Sequence, residues 1–217
     1  MPELSSLTSV RRSYGRGSLS EEGLAADWVT QFTRWFAEAS ASDLVLEPNA
    51  MVVATAAPSG QPSVRTVLLR GFDADGLVFF TNYDSRKGRE LTANPQVALV
   101  FSWVPLERQV IVTGTAARVS AAESAAYFHS RPRDSQVASA SSAQSSVVAS
   151  RAVLESAAAA LAERYPDEVP APANWGGFRV TPDSVEFWQG RPARLHDRLR
   201  FRLAAPPADW VVERLSP

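Results

Sequence analysis

Short runs of strand-forming residues, divided by turn signals, recur along most of this chain. The first runs, at 51–56, 64–69 and 77–81, are separated by Pro-Ser-Gly at 58–60 and by Asp-Ala-Asp-Gly at 73–76. Such punctuation is typical of antiparallel hairpins. Further runs follow at 97–103, 108–119, 178–180, 185–188, 198–203 and 211–215. Because the runs are short and numerous, they predict an antiparallel barrel or sandwich.

A few helical patterns interrupt the strands. Ser18 and Glu21 match a capping box, and the apolar residues of a helix follow at helical spacing: Leu24, Trp28, Phe32 and Trp35 or Phe36. Helices are also expected at 85–94, 121–130 and 151–164. The chain is therefore predicted to be α+β, with a flexible arm at 1–17 and a single domain at 18–217. Within that domain, residues 135–150 are a low-complexity stretch of Ser, Ala, Val and Gln, whose composition predicts a mobile linker.

Composition excludes several classes of function. The 217 residues include no cysteine, which rules out disulfides, thiolate metal sites and a cysteine nucleophile. Two histidines, His129 and His196, are too few for a multi-histidine metal centre. A net charge of −1 argues against a nucleic-acid-binding protein, which needs a basic surface. No secretion signal and no membrane-spanning apolar run is visible. We expect a cytoplasmic protein with no metal and no nucleic-acid or membrane partner.

Basic residues alternate with mostly apolar ones from 194 to 203. The basic residues of one parity are Arg194, His196, Arg198, Arg200 and Arg202. Residues of one parity share a face of a strand, so the pattern predicts a cationic face. One interpretation is a solvated edge strand whose charges discourage aggregation. The other is an anion site for a phosphate, which arginine binds in bidentate geometry.

A second group of cations stands at the start of a predicted helix. Ser85 or Asp84 fits the N-cap, which places Arg86 and Lys87 in the first turn. Cations there are disfavoured by roughly 0.3–1 kcal/mol each, because the helix N-terminus carries partial positive charge. A bound phosphate would explain both, since it accepts hydrogen bonds from backbone N–H groups and from both side chains. A tolerated surface pair is the alternative.

Two further cations, Arg65 and Arg70, flank one of the predicted strands. Their parity differs, so an unbroken strand sends them to opposite faces and a bulge would be needed to bring them together. Gln109, at the start of the 108–119 run, is a surface residue unless a flavin-like ring needs hydrogen bonds to its polar edge.

In this order, the motifs resemble the pyridoxine/pyridoxamine 5′-phosphate oxidase family. The resemblance spans nearly the whole chain and is carried by residues 11–14, 47–50, 65–70, 80–83, 85–88, 108–110, 127–128, 130–133, 135–136, 144–145, 175–177, 186–202 and 213–217. The most specific part is Arg-Leu-His-Asp-Arg at 194–198 after Glu-Phe-Trp-Gln-Gly at 186–190.

The resemblance implies a split β-barrel that forms a homodimer and holds FMN in clefts between the subunits. The cofactor contacts that it implies are Arg65, Thr66, Val67, Leu68, Leu69, Arg70, Phe80, Thr81, Arg86, Lys87, Gln109, Gln144, Ser145, Trp188 and Arg198. Arg86 and Lys87 would hold the FMN phosphate, in agreement with their place at a helix N-terminus. Gln144 and Ser145 would make 135–150 an ordered flavin-binding loop, contrary to its composition.

The implied reaction is oxidation of pyridoxamine or pyridoxine 5′-phosphate by O2 to pyridoxal 5′-phosphate, with release of H2O2. Implied substrate contacts are Arg11, Tyr14, Arg70, Tyr127, Arg131, Ser135, Arg194 and His196. Tyr127, Arg131 and Ser135 would hold the substrate phosphate, and the arm carrying Arg11 and Tyr14 would close over the site. Arg194 and His196 are the expected catalytic pair, on one strand face with Arg198.

The chain departs from the family pattern at a few positions. Arg70 replaces the usual Lys, Ile111 replaces the usual Arg, and the usual Trp between 135 and 144 is absent, with Ala140 near that place. These departures leave two alternatives open. One is a related flavin oxidase that acts on another ring, as in phenazine biosynthesis; the other is a protein that binds FMN or pyridoxal phosphate without turnover.

Overall fold

The computed structural model describes residues 12–204 and 209–217, which divide into two units. The central unit comprises Asn49–Leu99 and Thr113–Pro182, and the terminal unit comprises the remainder. The helices are α1 (Trp28–Ser40), α2 (Arg86–Ala93), α3 (Ala121–Ser130), α4 (Arg133–Ser141) and α5 (Arg151–Arg164). The strands are β1 (Ala50–Ala56), β2 (Pro62–Leu68), β3 (Gly71–Asp73), β4 (Gly76–Asn82), β5 (Gln96–Trp103), β6 (Arg108–Arg118), β7 (Trp175–Gln189), β8 (Asp197–Leu203) and β9 (Trp210–Arg214).

An antiparallel sheet has the strand order β2-β1-β5-β6-β7-β4-β3. The central unit contains β1 to β4 and parts of β5, β6 and β7. Its hairpins follow the predicted turns, and in the β1–β2 pair Val53 lies opposite Arg65. The alternate residues of β1 that point inward, Met51 and Val53, are fully buried, as are Leu77 and Phe79 of β4. Burial of such side chains contributes roughly 1.5–3 kcal/mol each. The sheet therefore fixes the positions of the residues at the ends of β2 and β4.

The terminal unit is built around one face of α1. Phe32 and Trp35 are buried, with Phe32 5.1 Å from the ring of Phe101 and Trp35 5.2 Å from the ring of Phe187. In this unit β7 pairs with β8, and β8 pairs with β9, both antiparallel. No helix in the described part of the chain combines the length and the apolar character that a bilayer span requires.

Several sequence predictions are confirmed. The α+β composition is correct, α3 and α5 have the predicted bounds, and α2 begins after Ser85, whose hydroxyl accepts a hydrogen bond from Gly88 N at 3.2 Å. A Cβ at residue 88 would lie 2.2 Å from Tyr83 O. Glycine at this position therefore allows α2 to start directly beside the end of β4.

The start of the first helix was predicted wrongly. The N-cap of α1 is Asp27, whose Oδ1 accepts a hydrogen bond from Thr30 N at 2.7 Å. Residues 21–23 form a turn, closed by a bond from Gly23 N to Ser20 O. The Ser18–Glu21 pair therefore does not cap the helix. Asp27 directly precedes the first apolar residue of the helix and caps it, whereas Ser18 lies further from the apolar face.

The linker predicted for 135–150 is also wrong. Residues 133–141 form α4, and Val137 is buried in an apolar cluster with Phe128, Val169 and Trp175. Tertiary packing of one valine therefore overrides the low-complexity composition of the stretch.

The runs 178–180 and 185–188 are parts of one strand, β7, which continues through Pro182. Gly114 of β6 faces this point, where a Cβ would lie 2.2 Å from Thr181 O. Pro182 has no backbone N–H to donate to a neighbouring strand, and Gly114 has no side chain, so β6 can approach β7 closely at this point. The strand β7 can therefore continue through Pro182.

The strand predicted at 198–203 begins at Asp197, so the alternation that starts at 194 lies only partly on a strand. Pro192–Arg194 form a tight turn, in which Ala193 and Arg194 have positive φ angles of 55° and 62°. Two successive left-handed residues break the alternation of a strand. The expectation that Arg194 and His196 share a strand face with Arg198 is therefore wrong.

Candidate functional site

A cavity of about 420 Å³ opens in the central unit, where β2, β4 and α2 meet the α3–α4 segment. Its lining residues are Thr66, Val67, Leu68, Arg70, Phe80, Thr81, Asn82, Lys87, Tyr127, Arg131, Ala138, Ser139, Ser142, Gln144 and Trp175. We call this cavity the central pocket. It has a size typical of small-molecule sites.

Three cations line the central pocket: Arg70, Lys87 and Arg131. Among residues 12–204 and 209–217, none of the three forms an ion pair with an acid. The acids of this unit that do form ion pairs bind other cations, for example Glu90 with Arg65 and Asp73 with Arg179. Cations that converge without acidic partners create a site for an anion.

Lys87 is the most deeply buried of these cations, with 8% of its surface exposed. Its Nζ donates to Thr81 Oγ1 at 3.0 Å and to Gln144 Oε1 at 3.1 Å. Burial, followed by repulsion from Arg65, lowers the pKa of Lys87 to about 8. Burial of a charge without an opposite charge is costly, so this ammonium group fits a bound anion.

Stacked aromatic rings form one wall of the pocket. The ring of Phe80 lies 4.0 Å from that of Tyr127 and 5.5 Å from that of Trp175, at interplanar angles of 25° and 17°. Arg70 lies over Tyr127 at 5.9 Å, and Arg131 lies over Trp175 at 4.8 Å. These contacts hold the two guanidinium groups beside the rings.

Arg131 is further oriented by Ser139, to which its Nη1 donates at 2.9 Å. Burial lowers the pKa of Arg131, the nearby Tyr127 raises it, and the charge of Arg70 lowers it again. The guanidinium is therefore a partly desolvated cation beside another cation. This is the environment in which a bidentate anion binds most strongly.

Next to the pocket, a buried carboxylate organises two more arginines. Glu90 accepts hydrogen bonds from Arg65 and from Arg86, the latter at 2.8 Å, and from the hydroxyls of Thr55 and Ser63. Burial acts to raise the pKa of Glu90, but the bonds from Ser63, Thr55 and Arg86 outweigh it and lower the pKa to about 2. Glu90 is therefore ionised at neutral pH and holds both guanidinium groups in place.

The loop at 142–150 is attached to the same region. Gln144 accepts a hydrogen bond from Thr81 Oγ1 at 3.1 Å, and Ser145 Oγ accepts one from Arg86 N at 3.2 Å. Ser145 has a positive φ of 74°. These bonds join the loop to the end of β4 and the start of α2. The whole stretch 135–150, which composition predicted to be a mobile linker, is therefore attached to the central unit by specific contacts.

The terminal unit carries a separate aromatic group around His196. The His196 ring lies 4.7 Å from that of Trp188 and 5.8 Å from that of Tyr14. The backbone N–H of Arg191 donates to His196 Nδ1 at 3.1 Å. Because Nδ1 is the acceptor in this bond, the proton of the neutral ring lies on Nε2.

The three arginines of β8 form ion pairs with two acids. Arg198 makes two bonds to Glu186, at 2.6 and 3.0 Å. Arg200 and Arg202 both bind Glu213 of β9. The hydrogen bonds that Arg198 donates to Glu186 raise the pKa of Arg198, and the negative charge of Glu186 adds to the effect. The interpretation of this strand as a phosphate-binding face is therefore wrong for Arg200 and Arg202, which stabilise a strand pair.

The predicted site residues fall into three groups. Those that line the central pocket are Thr66, Val67, Leu68, Arg70, Phe80, Thr81, Lys87, Gln144, Tyr127 and Arg131. Those of the central unit that do not line it are Arg65, Leu69, Arg86, Ser145 and Ser135. Those in the terminal unit are Tyr14, Gln109, Trp188, Arg194, His196 and Arg198. Arg11 lies outside the described residues.

Sequence reasoning missed five residues of the pocket wall: Asn82, Ala138, Ser139, Ser142 and Trp175. Asn82 and Trp175 lie within motifs that carry the family resemblance, but no pattern assigned them to a ligand. Ser139 and Ser142 lie in the low-complexity stretch, where composition gives no signal for an individual serine.

Comparison with known proteins gives matches to two family models. The model described as "Pyridoxamine 5′-phosphate oxidase" matches residues 37–165. The model described as "Pyridoxine 5′-phosphate oxidase C-terminal dimerisation region" matches residues 175–217.

Similar proteins named pyridoxine/pyridoxamine 5′-phosphate oxidase occur in several bacteria. One from Salinispora arenicola is 59% identical and aligns over 92% of this chain and 90% of its own. One from Streptomyces avermitilis is 56% identical, with coverages of 96% and 95%.

Two solved structures are also similar. PhzG from Burkholderia lata, in complex with tetrahydrophenazine-1-carboxylic acid, has a TM-score of 0.85 at 30% identity and covers 92% of this chain and 98% of its own. An FMN-binding protein related to pyridoxamine 5′-phosphate oxidase, from Nostoc punctiforme, has a TM-score of 0.70 at 18% identity, with coverages of 90% and 99%. This second likeness concerns the fold alone, and it confirms the predicted split-barrel class.

Proposed function

Because this chain belongs to the pyridoxamine 5′-phosphate oxidase family, we propose that it oxidises pyridoxamine 5′-phosphate, pyridoxine 5′-phosphate or both to pyridoxal 5′-phosphate, with FMN as cofactor and O2 as the final electron acceptor. The alcohol loses two electrons and two protons, and O2 becomes H2O2. With the amine, water adds and ammonia leaves. The observation that carries the proposal is the convergence of Arg70, Lys87 and Arg131 in one pocket without acidic partners among the described residues.

The residues of the central unit fit a flavin phosphate. Bound FMN supplies the acceptor for the hydride that leaves the 4′ carbon of the substrate. Lys87, with Arg65 and Arg86 held by Glu90, is proposed to bind the phosphate of the cofactor. The buried ammonium of Lys87 has hydroxyl and amide partners but no charge partner among the residues described, so an anion would complete its surroundings.

A second set of residues is proposed to bind the phosphate of the substrate. Arg70 and Arg131 lie beside the stacked rings of Tyr127 and Trp175, which offer a flat apolar wall for a pyridine ring. Ser135 lies in the first turn of α4, and its assignment to the substrate stays a proposal. Arg70 in place of Lys keeps the charge and adds a planar donor fork.

Arg194 and His196 are proposed to hold the reacting end of the substrate. The neutral ring of His196 presents Nε2–H as a donor, because Nδ1 accepts from Arg191 N. The Arg194 guanidinium favours loss of a proton from a substrate amine or hydroxyl, since a nearby positive charge lowers the pKa of that group. Together the two side chains orient the reacting carbon, and such positioning accounts for much of an enzyme's acceleration.

The chain is a homodimer, in accordance with its C-terminal dimerisation region. The finer proposal is that FMN binds at the interface between the subunits, with Gln109, Trp188 and Arg198 among its contacts. The arm carrying Arg11 and Tyr14 is proposed to close over the site. A cytoplasmic location stays a prediction of the sequence.

A related flavin oxidase that acts on another ring is the second candidate, because the fold of PhzG is so similar. Two observations favour the vitamer phosphate. Identity to proteins named pyridoxine/pyridoxamine 5′-phosphate oxidase reaches 59%, against 30% for PhzG. In addition, Tyr127 and Arg131 line the central pocket, where they are proposed to meet a phosphate that a phenazine precursor lacks.

Oxygen uptake by the purified protein tests the proposal. We expect protein with bound FMN to consume O2 when given pyridoxamine 5′-phosphate or pyridoxine 5′-phosphate. Pyridoxamine without its phosphate is the matched control, and its kcat/KM should be lower by at least about 100-fold, because Arg70 and Arg131 are then left without their anion. Equal rates with and without the phosphate, or a yellow protein without O2 uptake, would contradict the proposal.

A further inference from the structure

Glu107 is a buried carboxylate to which the proposed chemistry assigns no role. Only 4% of its surface is exposed. It ends the 3₁₀ turn Val104–Leu106 with a left-handed backbone, at φ 57° and ψ 36°. Positions of this kind favour glycine or asparagine, and another L-residue costs about 1–2 kcal/mol there. A glutamate at this strained and buried position therefore indicates that the contacts of its side chain offset the cost of the left-handed backbone.

The carboxylate of Glu107 binds the N-terminal arm. Its Oε2 accepts hydrogen bonds from the backbone N–H of Gly15 at 2.7 Å and of Arg16 at 2.9 Å. The Nε of Arg12 lies 4.0 Å from its Oε1, but the Arg12 side chain is mostly exposed. Burial acts to raise the pKa of Glu107, but the bonds from Arg16 and Gly15 outweigh it and lower the pKa. The ionised carboxylate therefore holds the arm through its backbone.

The backbone of the same residue binds the segment that leads to His196. Glu107 O accepts a hydrogen bond from Gly190 N at 2.7 Å. Tyr14 lies directly against Gly190, where a Cβ would come within 2.8 Å of the tyrosine ring. The Tyr14 ring in turn lies 5.9 Å from Trp188 and 5.8 Å from His196. One residue thus binds the arm with its side chain and the Gly190 segment with its carbonyl.

We propose that Glu107 is a positioning residue for the oxidation reaction, because it holds the arm so that Tyr14 packs against Trp188 and His196. The inference rests on the proposed function, since it gives the arm a task at the substrate site. Glu107 does not touch the substrate. It acts through the arm, so its loss should raise the KM for pyridoxamine 5′-phosphate and leave FMN bound.

The variant Glu107→Gly tests this proposal, because glycine suits the left-handed backbone and removes the carboxylate together with its two methylene groups. Trypsin should cut after Arg12 and Arg16 about tenfold faster, and the KM should rise by about tenfold with kcat within about threefold, because the arm is then held by fewer hydrogen bonds. Glu107→Gln should show a smaller change, since its amide oxygen still accepts both bonds without the charge.

A double-mutant cycle separates the arm from a general structural effect. If Glu107 acts through the arm, adding Glu107→Gly to Tyr14→Ala should raise the KM no further. Gly190→Ala is an independent probe, because its Cβ displaces Tyr14 while the Glu107 carboxylate stays. It too should raise the KM, several-fold, with normal FMN binding.

The two readouts separate this inference from the proposed function. If the wild type does not oxidise pyridoxamine 5′-phosphate, the proposed function fails, and the tryptic cleavage rates still decide whether Glu107 holds the arm. Wild-type cleavage rates in Glu107→Gly overturn the inference. So does a KM increase of equal size in the presence and absence of Tyr14.

Discussion

Replacement of His196 by Ala is expected to lower kcat by about 100-fold while the protein keeps its FMN, because misplacing the reacting carbon by about 1 Å can cost about 100-fold in rate. The imidazole is fixed by Arg191 N on one side and packs against Trp188, so its Nε2–H has a defined direction. Alanine removes that donor without opening a core cavity. Oxygen uptake measures kcat, and flavin absorbance measures bound FMN.

The other histidine provides the matched control. His129 lies in the last turn of α3, 3.4 Å from Glu168, and does not line the central pocket. His129→Ala should leave kcat within about twofold, as is usual for a substitution at a surface position. If His196→Ala loses its flavin while the flavin-loaded fraction turns over normally, then His196 belongs to the cofactor site and its proposed catalytic role is wrong.

Lys87→Met should weaken FMN binding by about 100-fold or more, because a buried, charge-assisted contact to a phosphate is worth roughly 1.5–3 kcal/mol and the desolvated site adds to it. Methionine keeps the length and apolar stem of the side chain. Its neutral terminus cannot bind an anion or donate to Thr81 and Gln144. Fluorescence quenching of FMN on addition to flavin-free protein gives the affinity.

The pH dependence of the same titration identifies the group. The pKa of Lys87 is lowered to about 8, so the ammonium is present below that pH and is lost above it. Wild-type affinity for FMN should therefore fall as pH rises through about 8 and beyond, and Lys87→Met should lack this dependence. Arg89→Met is the control. It removes from the same helix an exposed cation whose guanidinium donates to Asp84 O. An equal loss in Arg89→Met would show a general effect of charge and would refute the assignment.

Local signals in the sequence predicted the elements well where capping and periodicity agree. Ser85 caps α2 as expected, and α3 and α5 have the bounds that their patterns indicate. The turns at 58–60 and 73–76 separate strands that do pair, although the short strand β3 was not predicted. These features depend on neighbours within a few residues, which the sequence displays directly.

What the sequence did not predict depends on partners far along the chain. Arg200 and Arg202 were interpreted as a possible anion site, yet both form ion pairs with Glu213 of β9. Arg65 was expected to face a ligand, and Glu90, twenty-five residues later, fixes its direction. Composition predicted a mobile linker around Val137, but Val137 is buried against Phe128 and Trp175, and this burial determines the structure there. Which charges pair across strands depends on how the strands are arranged in three dimensions, and the sequence alone does not display this arrangement.

The central claim is that the central pocket is built for phosphoryl groups, and affinity for FMN compared with riboflavin tests it most directly. The two ligands share the flavin ring and differ only in the phosphate. If Lys87 and its neighbouring arginines bind that phosphate, FMN should bind flavin-free protein at least about 100-fold more tightly than riboflavin at pH 7, since a charge-assisted contact to an anion is among the strongest polar contacts. Equal affinities for the two ligands would contradict the account.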